Sequence, residues 1–259
     1  MIAKTRGGRL GAETVNNQGC KMRIIEYDNC DNIIVEFQDK YAAHVHTKYS
    51  HFTLGSVKNP YYPSVYSVAA TGNKYDTTKN GKKLKEYNCW NGMLTRCFDK
   101  KTKEKYPTYK DATCCNEWLL YDNFYEWLHS QSNFDKWVNG NRWALDKDIL
   151  VKGNKVYSPE TCCLVPMSIN SLFAKHTNKS YNTPTGIDFV KGKFLVRCCS
   201  VSKDRERLGL YETLDEAFHA YKQYKESVIK QLAKREFDAN NITKECYNAM
   251  MNYEVEITD

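Results

Sequence analysis

The sequence predicts an α+β protein built from three consecutive segments. A small antiparallel β sheet or barrel comes first, a helical segment ending in a β-β-α finger follows, and a three-stranded sheet with a long helix comes last. Hydrophobic residues alternate with a period of two up to about residue 68, recur at three- and four-residue spacing from Tyr87, and return to short alternating runs from Pro184. With 41% hydrophobic and 27% charged residues, the 259-residue chain can bury one large core or several small ones.

Residues 1–72 are predicted to form the first β domain. The runs MRIIEY, from Met22, and NIIVEF, from Asn32, alternate as half-buried strands do, and residues 49–55 are predicted as a further strand. Prolines cannot continue a ladder, so GSVKNPYYPSVYS is expected to be extended loop. The polar, basic run GNKYDTTKNGKK is expected to be a linker.

Residues 85–180 are predicted to form the central module. Two amphipathic helices are expected, because large apolar residues recur with helical spacing around Trp90 and around Trp118. A strand (ALDKDIL), a glycine hairpin (VKGNK), a second strand (VYSPETCCLV) and a helix beginning near Met167 then follow. This order predicts the β-β-α finger.

Residues 183–237 are predicted to form a sheet covered by a helix, and residues 238–259 a tail with one short helix. Strands are expected at 185–190, 193–201 and 207–211. Thr213 and Glu216 form the S/T-x-x-E capping box of the long helix. The apolar face of that helix should cover one side of the sheet, through residues such as Phe218 and Tyr221, and leave the other side free.

Charge and composition narrow the classes of function. A net charge of +7, with a pI near 8.7, favours a polyanionic partner, and 19 tyrosines interleaved with basic residues are compatible with stacking on bases. No apolar run reaches the roughly 18–20 residues of a membrane span, and the first residues lack the apolar core of a secretory signal. We therefore expect a cytoplasmic protein.

Cysteine usage predicts reduced thiols and no zinc site. The count of eleven is odd, and three pairs are adjacent in sequence, at Cys114–Cys115, Cys162–Cys163 and Cys198–Cys199. The CxxC spacing of a zinc knuckle does not occur, so structural zinc would require long-range pairing such as that of Cys97 with Cys114.

The central module resembles the HNH homing-endonuclease-like proteins of bacteriophages. The resemblance rests on YNCWNGMLTRCFDKKTKEKYPTYKDATCCNEWLLYDNFYEWL and LDKDILVKGNKVYSPETCCLVPMSIN, where the family reads Tyr-Ser-Pro-Glu-Asn-Cys. Asp146 or Asp148 stands where the family has its first His, Thr161 where it has the bracing Asn, and Asn170 where its helix returns a ligand. The resemblance thus implies catalytic positions at Asp146 and Thr161, and an Mg²⁺ site at Asp146, Asp148 and Asn170.

The changed residues weaken the expected chemistry. An HNH site needs a base that titrates near neutrality, as His does, whereas Asp is ionised there and is a weaker base. Asp remains a good Mg²⁺ ligand, so metal binding should survive better than base catalysis. Asp146 and Asp148 are expected on one strand face, where they could instead be exposed carboxylates without a ligand. His176 is the one histidine near the finger and is interpreted as a surface residue.

The third segment resembles the plant ethylene-response-factor (Apetala-two) DNA-binding domain, which also occurs behind HNH modules in phage genes. The resemblance rests on TGIDFVKGKFLVRC and RLGLYETLDEAFHAYKQYK. In that family the exposed sheet face lies in the major groove of DNA. By position, it implies a group of DNA-contacting residues: Lys191, Lys193, Arg197, Lys203, Arg205 and Arg207. Independently of the resemblance, alternation places Lys193 and Arg197 on one strand face, opposite Val196.

Three functions follow as hypotheses. The first is a DNA-binding protein of the phage homing-endonuclease type whose HNH-like site is weakened or inactive. The second is an active Mg²⁺-dependent HNH endonuclease. The third is a phage factor with a protein partner, such as an inhibitor of a host defence nuclease. Salt-dependent binding to double-stranded DNA separates the first two from the third, and Mg²⁺-dependent nicking separates the second from the first.

Overall fold

The computed structural model describes residues 8–173 and 183–259. The chain divides into two compact units, one of residues 1–110 and 114–126 and the other of residues 111–113 and 127–259. Both units mix helices with antiparallel sheet, so the predicted α+β class is confirmed. The helices predicted for residues 85–180 fall largely in the first unit, and the finger strands fall in the second.

A four-stranded antiparallel sheet opens the first unit, in the order β1-β2-β3-β4. Its strands are β1 Glu13–Val15, β2 Lys21–Asn29, β3 Asn32–Phe37 and β4 His44–Thr47. Alternate side chains of β2 and β3 are buried together, as the period of two predicts. The members of this core include Met22, Ile24, Ile33, Val35 and Phe37.

The strand predicted at residues 49–55 is wrong, because this stretch contains the helix α1, Tyr49–Thr53. The fourth strand comes earlier, at His44–Thr47. Tyr49 and Phe52 are three residues apart, so one helical turn brings both rings to the core side, where their centroids lie 6.1 Å apart. In the sequence alone, the short stretch that contains Tyr49 and Phe52 was compatible with the period of a strand or of a helix.

Helices complete the first unit. Its remaining elements are the hairpin β5 Thr78–Lys79 with β6 Lys82–Lys83, α2 Lys85–Phe98, α3 Lys100–Lys105, the 3₁₀ turns Pro107–Tyr109 and Glu117–Leu119, and the start of α4 Tyr121–Ser130. The predicted apolar stripe is buried, and the indole of Trp90 donates a hydrogen bond to the Trp118 carbonyl at 2.7 Å. This bond anchors α2 to the chain that precedes α4.

The predicted linker is partly ordered by a buried carboxylate. Gly72 has φ +72°, and a Cβ there would lie 1.9 Å from Oδ2 of Asp122. That oxygen accepts hydrogen bonds from the Tyr61 hydroxyl and the Lys74 amide, both at 3.4 Å. Gly72 therefore permits a close approach that other residues would block. Residues 78–83 then form the β5–β6 hairpin.

The finger segment opens the second unit with strands shorter than predicted. After the two-residue strand β7, Thr113–Cys114, and the helix α5, Phe134–Asn139, come β8 Trp143–Asp146, β9 Val156–Tyr157, β10 Cys163–Pro166 and the single-turn helix α6 Met167–Asn170. β8 and β10 pair antiparallel, from Asp146 opposite Cys163 to Trp143 opposite Pro166. From β8 onward, three short strands, rather than the two predicted, precede the helix. The strand predicted over 144–150 ends at Asp146, and that over 156–165 is interrupted by a turn.

The predicted sheet and capped helix are confirmed at residues 187–238. The strands β11 Ile187–Val190, β12 Lys193–Cys199 and β13 Arg205–Tyr211 pair antiparallel in that order. The helix α7, Leu214–Asp238, begins with both hydrogen bonds of the capping box between Thr213 and Glu216. A further helix, α8 Lys244–Met251, and an irregular end confirm the predicted tail.

One core joins the finger segment, the sheet, α7 and the tail. Its buried members come from residues 149–169, 187–198, 217–233 and 242–255, and include Ile149, Val165, Ile169, Ile187, Val196, Tyr221, Val228, Leu232, Ile242 and Met250. Tyr221 is the buried ring of the predicted docking face, and Phe218 is half-buried beside it. The sheet and its helix thus share their core with both neighbouring segments.

Within residues 8–173 and 183–259, no helix has the length and apolarity needed to cross a membrane. All eleven cysteines are free thiols, as predicted.

Candidate functional site

Asp146, the predicted base and metal ligand, serves its own backbone. It is the last residue of β8, and its Oδ1 accepts the amide hydrogens of Asp148 at 2.7 Å and Ile149 at 2.8 Å. Its side chain and backbone are only 9% exposed, and burial raises the pKa of the carboxyl group. The carboxylate therefore fixes the turn that ends the strand.

Asp148 does not share a strand face with Asp146, because the strand has already ended. Its carboxylate forms an ion pair with Lys147, whose side chain is buried although that of Asp148 is 46% exposed. Lys147 Nζ also donates to the Asn154 carbonyl at 3.0 Å, and the Asn154 amide donates back to the Lys147 carbonyl at 2.8 Å. These bonds close the loop between β8 and β9, so Asp148 neutralises a structural lysine.

Thr161 occupies the turn between β9 and β10. Its hydroxyl donates to the Val156 carbonyl at 2.7 Å and lies 3.1 Å from the Ser158 hydroxyl. The Thr161 amide donates to the Ser158 carbonyl at 3.2 Å. A bracing Asn would direct its side chain toward a catalytic base, whereas this hydroxyl holds its own turn.

Asn170 is not brought to the same end of the finger ladder as Asp146. The helix α6 starts after Pro166, which pairs with Trp143 at the opposite end of the β8–β10 ladder. The side-chain amide of Asn170 lies 3.8 Å from the sulfur of Met167. In the described part of the chain, no group of three or more His, Cys, Asp or Glu residues is arranged to hold a metal ion. His176 lies outside the described residues.

The sheet β11–β12–β13 separates its residues by face, as alternation predicts. Val196 and Cys198 are buried in the core shared with α7. Residues directly opposite in an antiparallel ladder share a face, and Arg197 lies opposite Arg207 while Cys199 lies opposite Arg205. We call the side turned away from α7 the basic face. It comprises Lys193, Leu195, Arg197, Cys199, Arg205, Arg207 and Leu210 with Asp188.

Acidic residues neutralise part of the basic face. Asp188 lies in β11 opposite Leu195, and its Oδ2 accepts a hydrogen bond from Arg197 at 2.5 Å and lies 4.0 Å from Arg205. Lys193 forms an ion pair with Glu212. Two of the six predicted DNA-contacting residues therefore have a carboxylate at contact distance, and Arg205 has one at the limit of an ion pair.

Arg207 and the two turn lysines are the available cations of this surface. All three are exposed, and none forms an ion pair among residues 8–173 and 183–259. Lys191 and Lys203 occupy the β11–β12 and β12–β13 turns with φ +50° and +74°. They therefore extend the cationic surface to both ends of β12, with Arg207 between them.

A cavity of about 600 Å³ lies at the C-terminal end of β12, and the sequence did not indicate it. Arg197, Lys203, Arg205 and Lys225 all contribute to its lining. Lys225 lies four residues after the buried Tyr221, so it follows on the same stripe of α7, and burial lowers its pKa. That spacing was the signal which could have identified Lys225. The Nε atom of Arg197 is buried there without a hydrogen-bond partner.

Comparison with known proteins found no matching family model, no matching curated protein and no matching solved structure.

Proposed function

We propose that this chain binds double-stranded DNA through the basic face, as a protein of the phage homing-endonuclease type whose HNH-like site is weakened or inactive. The observation that carries the proposal is the separation of faces in the C-terminal sheet. The side toward α7 is buried, while the other side carries three arginines and a lysine in register. Arginine forks suit guanine edges and phosphates, and an antiparallel sheet can occupy the major groove.

The hydrogen bonds of the finger support the weakened-nuclease part of the proposal. A general base must reach the proton of an attacking water, but Oδ1 of Asp146 accepts two amide hydrogens of its own turn. Thr161 likewise donates to the backbone of its own loop. We therefore expect no nicking of plasmid DNA with Mg²⁺ at enzyme concentrations that saturate binding.

Arg207 and Arg205 provide the test of the binding face. Replacing both with Gln should lower the affinity for a 30-base-pair duplex by about tenfold or more, and reduce the log–log salt slope by about two. The matched control is Lys230→Gln with Lys234→Gln, which removes the same charge from exposed positions of α7 in the same unit. Fluorescence anisotropy between low and moderate salt measures both quantities. Equal affinity of the arginine variant and the control would contradict the proposal.

A further inference from the structure

The net charge of the chain is concentrated in a short part of the first unit. Residues 79–110 contain ten basic and three acidic residues, a net charge of +7, which equals that of the whole chain. The rest of the molecule is therefore neutral on balance. The second unit contains the basic face, yet the excess positive charge lies elsewhere.

A cluster of exposed lysines occupies the end of this stretch. Lys100, Lys101 and Lys105 lie on α3, and Lys110 follows the next turn. All four are exposed, and none of them forms an ion pair within the described ranges 8–173 and 183–259. We call these four residues the lysine cluster. Unlike Lys193 and Arg197 on the basic face, they retain their full charge toward solvent.

The helix dipole of α3 disfavours two of these charges, those of Lys100 and Lys101. Lys100 and Lys101 lie in the first helical turn, which has no acidic residue, although the helix dipole favours anions there. Lys101 and Lys105 are four residues apart, a spacing at which like charges repel. The fold gains its stability here from Asp99, whose carboxylate accepts the Thr102 amide at 2.8 Å. Lys100 and Lys101 therefore do not stabilise the helix, whereas Lys105 lies in the last turn, where the dipole favours a cation. The exposed and unpaired charges of the cluster fit an external polyanion.

We infer that the lysine cluster is a second DNA-binding surface, which contacts the phosphates of duplex DNA without reading sequence. Lysine is a flexible point charge suited to phosphate, whereas base recognition favours the fork of arginine, and the cluster contains no arginine. Tyr106, 48% exposed beside Lys105, adds an apolar contact at the edge of the cluster. The choice of duplex DNA as the polyanion rests on the proposed function.

The test compares two triple variants of the full chain. In the first, Lys100, Lys101 and Lys105 are replaced by Gln. In the matched control, Lys21, Lys40 and Lys58, which are exposed in the same unit, are replaced by Gln. The cluster variant should bind a random 30-base-pair duplex at least about tenfold more weakly at moderate salt, with a log–log slope lower by about two to three. Its melting temperature should stay close to that of the parent, because the loss of a favourable cation at Lys105 offsets the removal of repulsion.

The outcomes separate this inference from the proposed function. If the cluster variant kept its affinity for duplex DNA while the Arg205 and Arg207 variant lost it, the inference about the lysine cluster would be wrong and the proposal for the basic face would stand. If only the cluster variant lost affinity for duplex DNA, the lysine cluster would be supported as a DNA-binding surface and the basic face would be contradicted. A cluster variant that loses affinity for single-stranded DNA of the same length but not for duplex would also overturn the inference.

Discussion

The finger segment and the C-terminal sheet are adjacent in one unit, yet they use their polar side chains in opposite ways. Asp146 and Thr161 direct their oxygens to the backbone of their own turns. Arg205 and Arg207 extend from the sheet on the side opposite the core. The difference shows that a residue predicted to be catalytic can serve the fold of its own turn, while Arg207 on the uncovered sheet face has no ion-pair partner in the described part of the chain.

The strongest test of this comparison is separation of the two regions. The sheet and α7 share one core with residues 149–169 and 242–255. A fragment of residues 184–237 would expose the core side of α7, where each lost aliphatic side chain costs about 1.5–3 kcal/mol. We therefore expect this fragment to show no cooperative thermal unfolding by circular dichroism, whereas a fragment of residues 127–259 should unfold cooperatively.

A cooperative transition in the shorter fragment would show that the finger does not support the sheet. The two regions would then be independent modules, and the finger residues would require an explanation other than folding.

A smaller effect is expected from Asp146→Asn. Burial raises the pKa of Asp146, so its contribution to stability is fully present below the unfolded value of about 3.9 and is lost as the pH rises through the folded pKa. Asparagine stays neutral and keeps an Oδ1 that can accept the amides of Asp148 and Ile149. The variant should therefore match the parent near pH 4 and melt at a higher temperature at neutral pH.

The companion variant Asp146→Ala controls for the acceptor. It removes the acceptor of the Asp148 and Ile149 amides, at a cost of about 1–3 kcal/mol for the buried amide of Ile149, so it should melt at a lower temperature at every pH. If Asp146→Asn also destabilised the protein at neutral pH, the ionised carboxylate would be needed. Calorimetric scans of both variants across this pH range distinguish the two cases.

Periodicity was sufficient to predict most of the fold. The buried alternation around Ile24 and Val35, the stripe around Trp90, and the Thr213 cap each depend on neighbours within a few residues. The helix at Tyr49–Thr53 was missed because a five-residue stretch with two apolar side chains fits either period. For the same reason, the predicted length of short strands such as β9 was too great.

The candidate sites depended more strongly on long-range contacts. Alternation placed Arg197 on the correct face, but only the register brings Asp188 against it. Sequence order placed Asp146 near Asp148, but not with its carboxylate turned toward the backbone. Whether a basic side chain is free to bind a ligand depends on its ion-pair partners. A count of basic residues does not identify those partners. The lysine cluster differs in this respect, because its excess of positive charge comes from residues close together in the sequence.

Alkylation of the native thiols tests the central claim most directly. Cys199 is exposed on the basic face opposite Arg205, and Cys30 is exposed in the first unit. With iodoacetamide and quantification by mass spectrometry, saturating duplex DNA should slow modification of Cys199 several-fold and leave Cys30 unchanged. An unchanged rate at Cys199, at a DNA concentration that saturates binding, would contradict the assignment of the basic face as the DNA-binding surface.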